Sequence, residues 1–159
     1  MSQDAHDQVL ITLRRIIQAI DIHSRSLKKK SGLTTPQLLI MQAISKLGVV
    51  PIRALATQVN LSQATVTTII DRLEAHGLVS RERSQEDKRK VHALLTDKGR
   101  QLLEQAPEPM QAHFVSRFKE LPEWEKGMLV ASLQRLADLM DAPDADDTFL
   151  TEEPERPQF

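Results

Sequence analysis

The sequence contains no cysteine, no tyrosine and one tryptophan, and aromatic residues make up 3% of its 159 residues. Without cysteine, disulfide bonds, thiolate metal sites, cysteine nucleophiles and sensing by cysteine oxidation are all excluded. With so few aromatic rings, stacking on unpaired bases is not expected, although most single-strand nucleic-acid modules bind in that way. These absences remove several classes of function before any motif is considered.

Long apolar runs are also missing. No run approaches the length needed to cross a membrane, and the N-terminal residues MSQDAHDQ lack the basic-then-apolar pattern of a secretory signal. We therefore expect a cytoplasmic protein without a membrane partner. The five histidines, at positions 6, 23, 76, 92 and 113, form no close-spaced pair, so neither a metal site nor another cofactor is expected.

The net charge of −1 conceals an uneven distribution of charge along the chain. Residues 141–159 contain seven acidic side chains against Arg156 alone, a net charge of −6. The first 140 residues therefore hold 20 basic and 15 acidic side chains, a net charge of +5. A basic body with an acidic end is compatible with an anion-binding face on the folded part of the chain.

Apolar periodicity predicts a mainly helical chain with one β-hairpin. Helices are expected over about 5–30, 34–47, 52–58 and 62–76, strands over 78–83 and 91–95, and a last helix over about 122–140. Between the hairpin and the last helix, a long helix begins at Thr96, and Pro107 and Pro109 should kink or split it. Residues 49–52 form at most an edge strand, because Pro51 cannot donate a hydrogen bond.

This order of elements predicts a winged helix-turn-helix held between N- and C-terminal dimerisation helices. We expect one domain over residues 1–141, with a DNA-binding lobe at about 34–96 and dimerisation helices at about 5–30 and 97–141. The terminal helices present more apolar surface than so small a lobe can cover, which favours a two-fold homodimer. Residues 142–159, rich in proline and acid, are expected to be disordered.

The first turns of the helix at 62–76 present small and polar side chains beside the buried position Val66. Such a surface fits the major groove, where glutamine can bind adenine and small residues allow close approach. Small polar residues at a helix start also serve simply as caps. The candidate DNA-contacting residues of this segment are Ser62, Gln63, Ala64, Thr65, Thr67 and Thr68.

The hairpin that follows has three consecutive cations at its tip, which a turn does not require. A hairpin after a helix-turn-helix can reach the neighbouring minor groove, where an inserted arginine responds to the concentrated negative potential. We therefore expect Arg89 in the minor groove, with Asp87 orienting its guanidinium and with the cations Lys88 and Lys90 on either side of it. The alternative is a solvated loop that is merely basic.

The sequence resembles the MarR family of bacterial transcriptional regulators over about residues 5–141. The most specific similarity is Asp87-x-Arg89, then Val91, then Leu95-Thr96-Asp97-Lys98-Gly99, which looks like the family's D-x-R…LT-x-x-G signature. A second similarity is Leu73-Glu74-Ala75-His76-Gly77-Leu78-Val79, which matches the turn into the wing. The two motifs lie at the spacing that the family shows.

The resemblance implies a homodimer whose two recognition helices enter successive major grooves of double-stranded DNA at a pseudo-palindromic promoter site. It places Arg72 on the DNA backbone and Lys88 and Lys90 on phosphates, and it favours repression by blocking polymerase. Many family members also bind a small aromatic or phenolic anion between the two lobes. By that resemblance, the effector-contacting residues would be Ile16, Ile20, His23, Leu38, Met41 and Gln42.

Two other classes of function remain as alternatives. A winged helix can serve as a protein-interaction adaptor without binding DNA. An enzyme is disfavoured, because the five glycines form no phosphate-cradling loop and neither G-x-S-x-G nor H-E-x-x-H occurs. Two further questions stay open: whether a kink at Pro107 and Pro109 has a regulatory role, and whether the acidic end is an inert solubilising segment or competes with DNA.

Overall fold

A computed structural model describes residues 4–108 and 110–143 of the chain. Pro109 and most of the acidic segment, residues 144–159, lie outside the described residues, so the expectations for them stay predictions. In chain order the elements are α1 (Ala5–Ser31), α2 (Thr35–Leu47), β1 (Val50–Pro51), α3 (Ile52–Val59), α4 (Gln63–Ala75), β2 (Val79–Arg83), β3 (Val91–Leu95), α5 (Asp97–Gln105), α6 (Met110–Lys119) and α7 (Glu123–Leu139).

Helix boundaries follow local capping chemistry. At the start of α2 the Thr34 hydroxyl accepts a hydrogen bond from the Gln37 amide at 3.4 Å, and the Gln37 side chain accepts one from the Thr34 amide at 3.0 Å. This capping box satisfies two amide groups that the first helical turn leaves unpaired. The long helix predicted after Thr96 is divided into α5 and α6, with Pro107 in the segment between them.

The three strands form one antiparallel sheet in the order β1-β3-β2. In its register Val79 lies opposite Leu95, and Ala93 lies between Val50 on one side and Arg81 on the other. The short strand β1, which contains Pro51, lies at the edge, where a missing amide donor costs no ladder hydrogen bond.

The hydrophobic core lies in the winged-helix part of the chain. Its fully buried side chains come from α2, α3, α4 and the sheet, and include Leu38, Met41, Leu55, Ile70 and Leu73. The terminal helices contribute little to this core, since α1 buries only Leu27 and no residue of α7 is buried. No helix in the described parts of the chain combines the length and apolar character that crossing a membrane requires.

Candidate nucleic-acid interface

The start of α4 projects from the turn that joins it to α3. That turn is closed by Asn60 in a left-handed conformation (φ 57°) and by a hydrogen bond from the Leu61 amide to the Ala56 carbonyl at 3.1 Å. Ser62 caps α4 and accepts a hydrogen bond from the Thr65 amide at 3.1 Å. Gln63 and Ala64, in the first turn, are exposed, as is Thr67 one turn further along.

The structure corrects the expectation for Thr65. Its side chain is 1% exposed, and its hydroxyl lies 2.8 Å from that of Ser62. Helical periodicity explains the difference, because Thr65 is one turn before Ile69 on the buried side of α4. Thr68 is half-buried and donates its hydroxyl proton to the Ala64 carbonyl at 3.0 Å.

The wing tip is ordered by its own short side chains. Ser84 accepts hydrogen bonds from the amides of Glu86 and Asp87, both at 3.3 Å, and its amide donates to the Lys90 carbonyl at 2.9 Å. The Asp87 carboxylate accepts from the Arg89 backbone amide at 3.0 Å. In this structure the carboxylate holds the turn, and its role in orienting the Arg89 guanidinium stays a prediction. Lys88, Arg89 and Lys90 point into solvent around a fixed backbone.

Arg81 on β2 is a residue that sequence reasoning missed. Its guanidinium forms an ion pair with Asp71, donates to the Thr67 carbonyl at 3.3 Å and lies 3.6 Å from the Glu74 carboxylate. The wing is thereby tied to the outer face of α4. The sequence does contain a signal for this contact. Thr67, Asp71 and Glu74 share one helical face, and Arg81 lies two residues after the buried Val79, on the same face of the strand.

The first turn of α5 is attached to the corner where α4 passes into the wing. Thr96 donates its hydroxyl proton to the Gly77 carbonyl at 2.6 Å, and the Lys98 ammonium donates to the His76 carbonyl at 3.0 Å. Gly77 closes α4 in a left-handed conformation (φ 71°), which favours glycine. Gly99 packs directly on the Leu78 backbone. Both sequence motifs therefore meet at one junction.

A cavity of about 340 Å³ lies between the α1–α2 turn, α4 and the start of α5. Its wall is mainly apolar, with Lys28, Arg72, His76 and Lys98 among the lining residues and no acidic residue. Arg72 is half-buried and lines this cavity, and its expected contact with the DNA backbone stays a prediction.

The expected effector residues do not form this cavity. Leu38 and Met41 belong to the closed core, because they lie on the side of α2 that packs against α3 and α4. Ile16, Ile20 and His23 are exposed on α1, and Gln42 is half-buried on α2. None of the six lines this cavity, and their role as effector contacts stays a prediction.

One group of potential metal ligands, which histidine spacing did not reveal, occurs at the start of α1. Asp4, His6 and Asp7 bring their ligand atoms within 4.8 Å of one another. All three are exposed, and clusters of exposed acidic groups are common without a metal. This group does not define a site.

Comparisons with known proteins agree with this geometry. A model of the MarR family matches residues 33–91. Over 144 residues the chain is 28% identical to the HTH-type transcriptional regulator FarR of Neisseria gonorrhoeae, covering 91% of this chain and 97% of FarR.

Among solved structures, a MepR-like protein complexed with pseudoligands matches with a TM-score of 0.62 and 25% identity, covering 86% of this chain and 97% of that one. A MarR mutant from E. coli complexed with operator DNA matches with a TM-score of 0.54 and 24% identity, covering 84% and 99%. The winged helix-turn-helix fold predicted from the sequence is confirmed.

Proposed function

Because this chain belongs to the MarR family of transcriptional regulators, we propose that it represses transcription by binding pseudo-palindromic promoter DNA as a homodimer. The relatives are regulators, so the prediction that the chain is not an enzyme is confirmed. The observation that supports DNA binding most directly is the pairing of an exposed α4 start with a rigid wing tip bearing three cations.

In this proposal α4 reads bases in the major groove and the wing reaches the adjacent minor groove. Arg89 enters the minor groove, while Lys88 and Lys90 neutralise phosphates on either side of it. Ser62 caps the first turn of α4, and the side chains exposed there face base edges or phosphates. These side chains are Gln63, Ala64 and Thr67, and the half-buried Thr68 lies at the margin of this group. The cocrystal of the MarR mutant with operator DNA supports this mode by analogy of fold.

The unburied apolar surface of the terminal helices supports the homodimer. Ile17 on α1 is 63% exposed and Trp124 on α7 is 70% exposed within a single chain. Further large apolar side chains are exposed on the same helices, among them Ile16, Ile20, Met128, Leu133 and Leu139. Large apolar side chains exposed on both terminal helices indicate an interface, and a second copy in two-fold symmetry is its commonest cover. In this proposal residues from about 5 to 30 and from about 97 to 141 form the dimer interface, and residues from about 34 to 96 form the DNA-binding lobe.

Fluorescence anisotropy with labelled duplexes from upstream of the chain's own gene tests this proposal. We expect tight binding to one fragment and a steep loss of affinity between two salt concentrations, because bound lysine and arginine release counterions from DNA. A chain that binds no duplex even in dilute salt would instead be an adaptor.

Arg89→Ala is expected to weaken operator binding by about 10- to 100-fold, the range for losing one arginine contact to DNA. Because the Arg89 side chain is exposed and its backbone is held by Asp87, the melting temperature and the dimer should not change. Lys119→Ala on α6 removes the same charge outside the winged-helix elements and serves as the control. A monomeric or unfolded Arg89 variant would show that this residue is structural.

We also propose that a small amphipathic anion entering the cavity relieves repression. Apolar side chains such as Leu33 and Leu73 would contact its body, and the cations at Lys28, Arg72 and Lys98 would attract its charge. Such a ligand would touch both α4 and the α1–α2 turn, so its binding would shift α4 relative to α1.

Titration with 1-naphthoate, an aromatic carboxylate of suitable size, tests the effector proposal. We expect it to lower operator affinity, while the uncharged 1-naphthamide has much less effect. Lys28→Gln should bind operator normally and lose most of the response to naphthoate, because one cation of the cavity is gone. Equal responses to the acid and the amide would rule out recognition of charge.

A further inference from the structure

The inward face of β2 connects the wing to α4 beyond the hydrophobic core. Side chains alternate along a strand, so Val79, Arg81 and Arg83 lie on one face. Val79 at the base is buried, and the Arg81 side chain, one step further out, is 25% exposed. At this point the contact between wing and helix changes from apolar packing to ion pairs.

On α4 the groups that meet Arg81 are spaced one turn apart. The Thr67 carbonyl, the Asp71 carboxylate and the Glu74 carboxylate all face the guanidinium. Arginine suits this position because its planar group donates several hydrogen bonds in fixed directions. It therefore constrains the angle of the strand against the helix, which a single ammonium donor would do less well.

The charges at this contact are unbalanced. One guanidinium meets two carboxylates, so the contact has a net charge of −1, although it lies on the same helix as the DNA-facing residues. Ion pairs that are partly exposed contribute little to folding stability. A gain in folding stability is thus a poor explanation for these ion pairs. A better explanation is that they set the angle between the wing and α4 and change the charge that DNA meets.

We propose that Arg81 is a positioning residue that holds the wing at a fixed angle to α4, so that Arg89 and Gln63 reach their grooves together. In this arrangement Asp71 and Glu74 also keep the Arg81 charge away from DNA phosphates, which limits binding to random sequence. The inference rests on the proposed DNA-binding function and adds a determinant of specificity that does not itself touch DNA.

The test compares Arg81→Gln with Arg83→Gln, since both remove one positive charge from the same strand face. Arg83 is exposed, and no ion pair to it is seen among the described residues. Anisotropy is measured with operator and with random duplexes over a series of salt concentrations, and thermal melting is measured in parallel.

We expect Arg81→Gln to weaken operator binding about 10-fold more than Arg83→Gln does, with a smaller loss on random DNA. The slope of log affinity against log salt should stay as in the unmodified chain, because Arg81 neutralises no phosphate. Equal losses on both duplexes together with a slope about one unit shallower would overturn the inference, since Arg81 would then be an ordinary phosphate contact.

Asp71→Asn supplies an independent test with the opposite sign. Releasing Arg81 from its carboxylate should strengthen binding to random DNA several-fold and steepen its salt dependence, so the operator-to-random ratio falls. In Arg81→Gln/Asp71→Asn most of the gain on random DNA seen with Asp71→Asn alone should be lost, because the charge that Asp71→Asn releases is no longer present. Additive effects would contradict the inference.

The two proposals fail in different ways. If the unmodified chain binds no duplex, the proposed function fails. If the unmodified chain discriminates operator from random DNA and both Arg81→Gln and Asp71→Asn discriminate equally well, only the role of Arg81 fails. A large fall in the melting temperature of Arg81→Gln would also overturn the inference, by making Arg81 a folding residue.

Discussion

Gly99→Ala is expected to be among the most destabilising single-methyl changes in this chain. A Cβ atom at position 99 would lie 2.1 Å from the Leu78 carbonyl oxygen, which belongs to the backbone, and the position of a Cβ is itself fixed by its own backbone. No side-chain rotation can relieve that overlap, so α5 must move away from the corner between α4 and the wing. Overpacking of this kind costs about 3 kcal/mol in free energy of unfolding. For a chain of this size, that corresponds to a fall in melting temperature of roughly 6–12 °C.

Gly127→Ala is the matched control for that prediction, because it adds the same methyl group to another helix. A Cβ atom at position 127 in α7 meets nothing within 4 Å. Alanine is favoured over glycine inside a helix by about 1 kcal/mol, so the melting temperature should hold or rise. Calorimetry or circular dichroism distinguishes the two variants. A Gly99→Ala chain as stable as the unmodified one would show that α5 is not seated on the Leu78 backbone.

Ile17→Glu is expected to separate the dimer and, with it, to abolish operator binding. Burial of an isoleucine side chain contributes about 1.5–3 kcal/mol, and two-fold symmetry repeats the change in both copies. The dissociation constant of the dimer should therefore rise by at least about 100-fold. A monomer presents only one α4 and one wing, so it contacts one half-site and loses the contribution of the other.

Gln18→Glu introduces the same negative charge at the next, polar position of α1 and controls for electrostatics. We expect it to remain dimeric and to bind operator, whereas Ile17→Glu sediments as a monomer in analytical ultracentrifugation. Circular dichroism checks that the helices persist, since the core lies in α2, α3, α4 and the sheet. A dimeric Ile17→Glu chain would move the interface away from this part of α1.

Local patterns predicted the elements well because capping and periodicity act within a few residues. The bounds expected for the first helix (5–30), the second helix (34–47) and the second hairpin strand (91–95) all agree with the structure to within a residue. The wing and its tip were found for the same reason, since the turn hydrogen bonds of Ser84 and Asp87 join residues no more than six positions apart.

Contacts between distant segments were missed or misassigned. Thr65 looked like its polar neighbours, but the packing of α4 against α3 turned its side chain inward. The cavity was not expected from the sequence, because its lining residues come from α1, α2, α4 and α5 and meet only in the folded chain.

The sequence alone was enough to predict a regulator with a winged helix. The prediction came from hydrophobic spacing, the absence of cysteine, the cationic hairpin tip and the two family motifs, and each of these is a property of composition or of short-range order. Only the folded structure revealed the link between Arg81 and Asp71, the contact of Gly99 with the Leu78 backbone and the position of the cavity. These features depend on the close packing of many side chains from different elements at once, and no short stretch of sequence records that information.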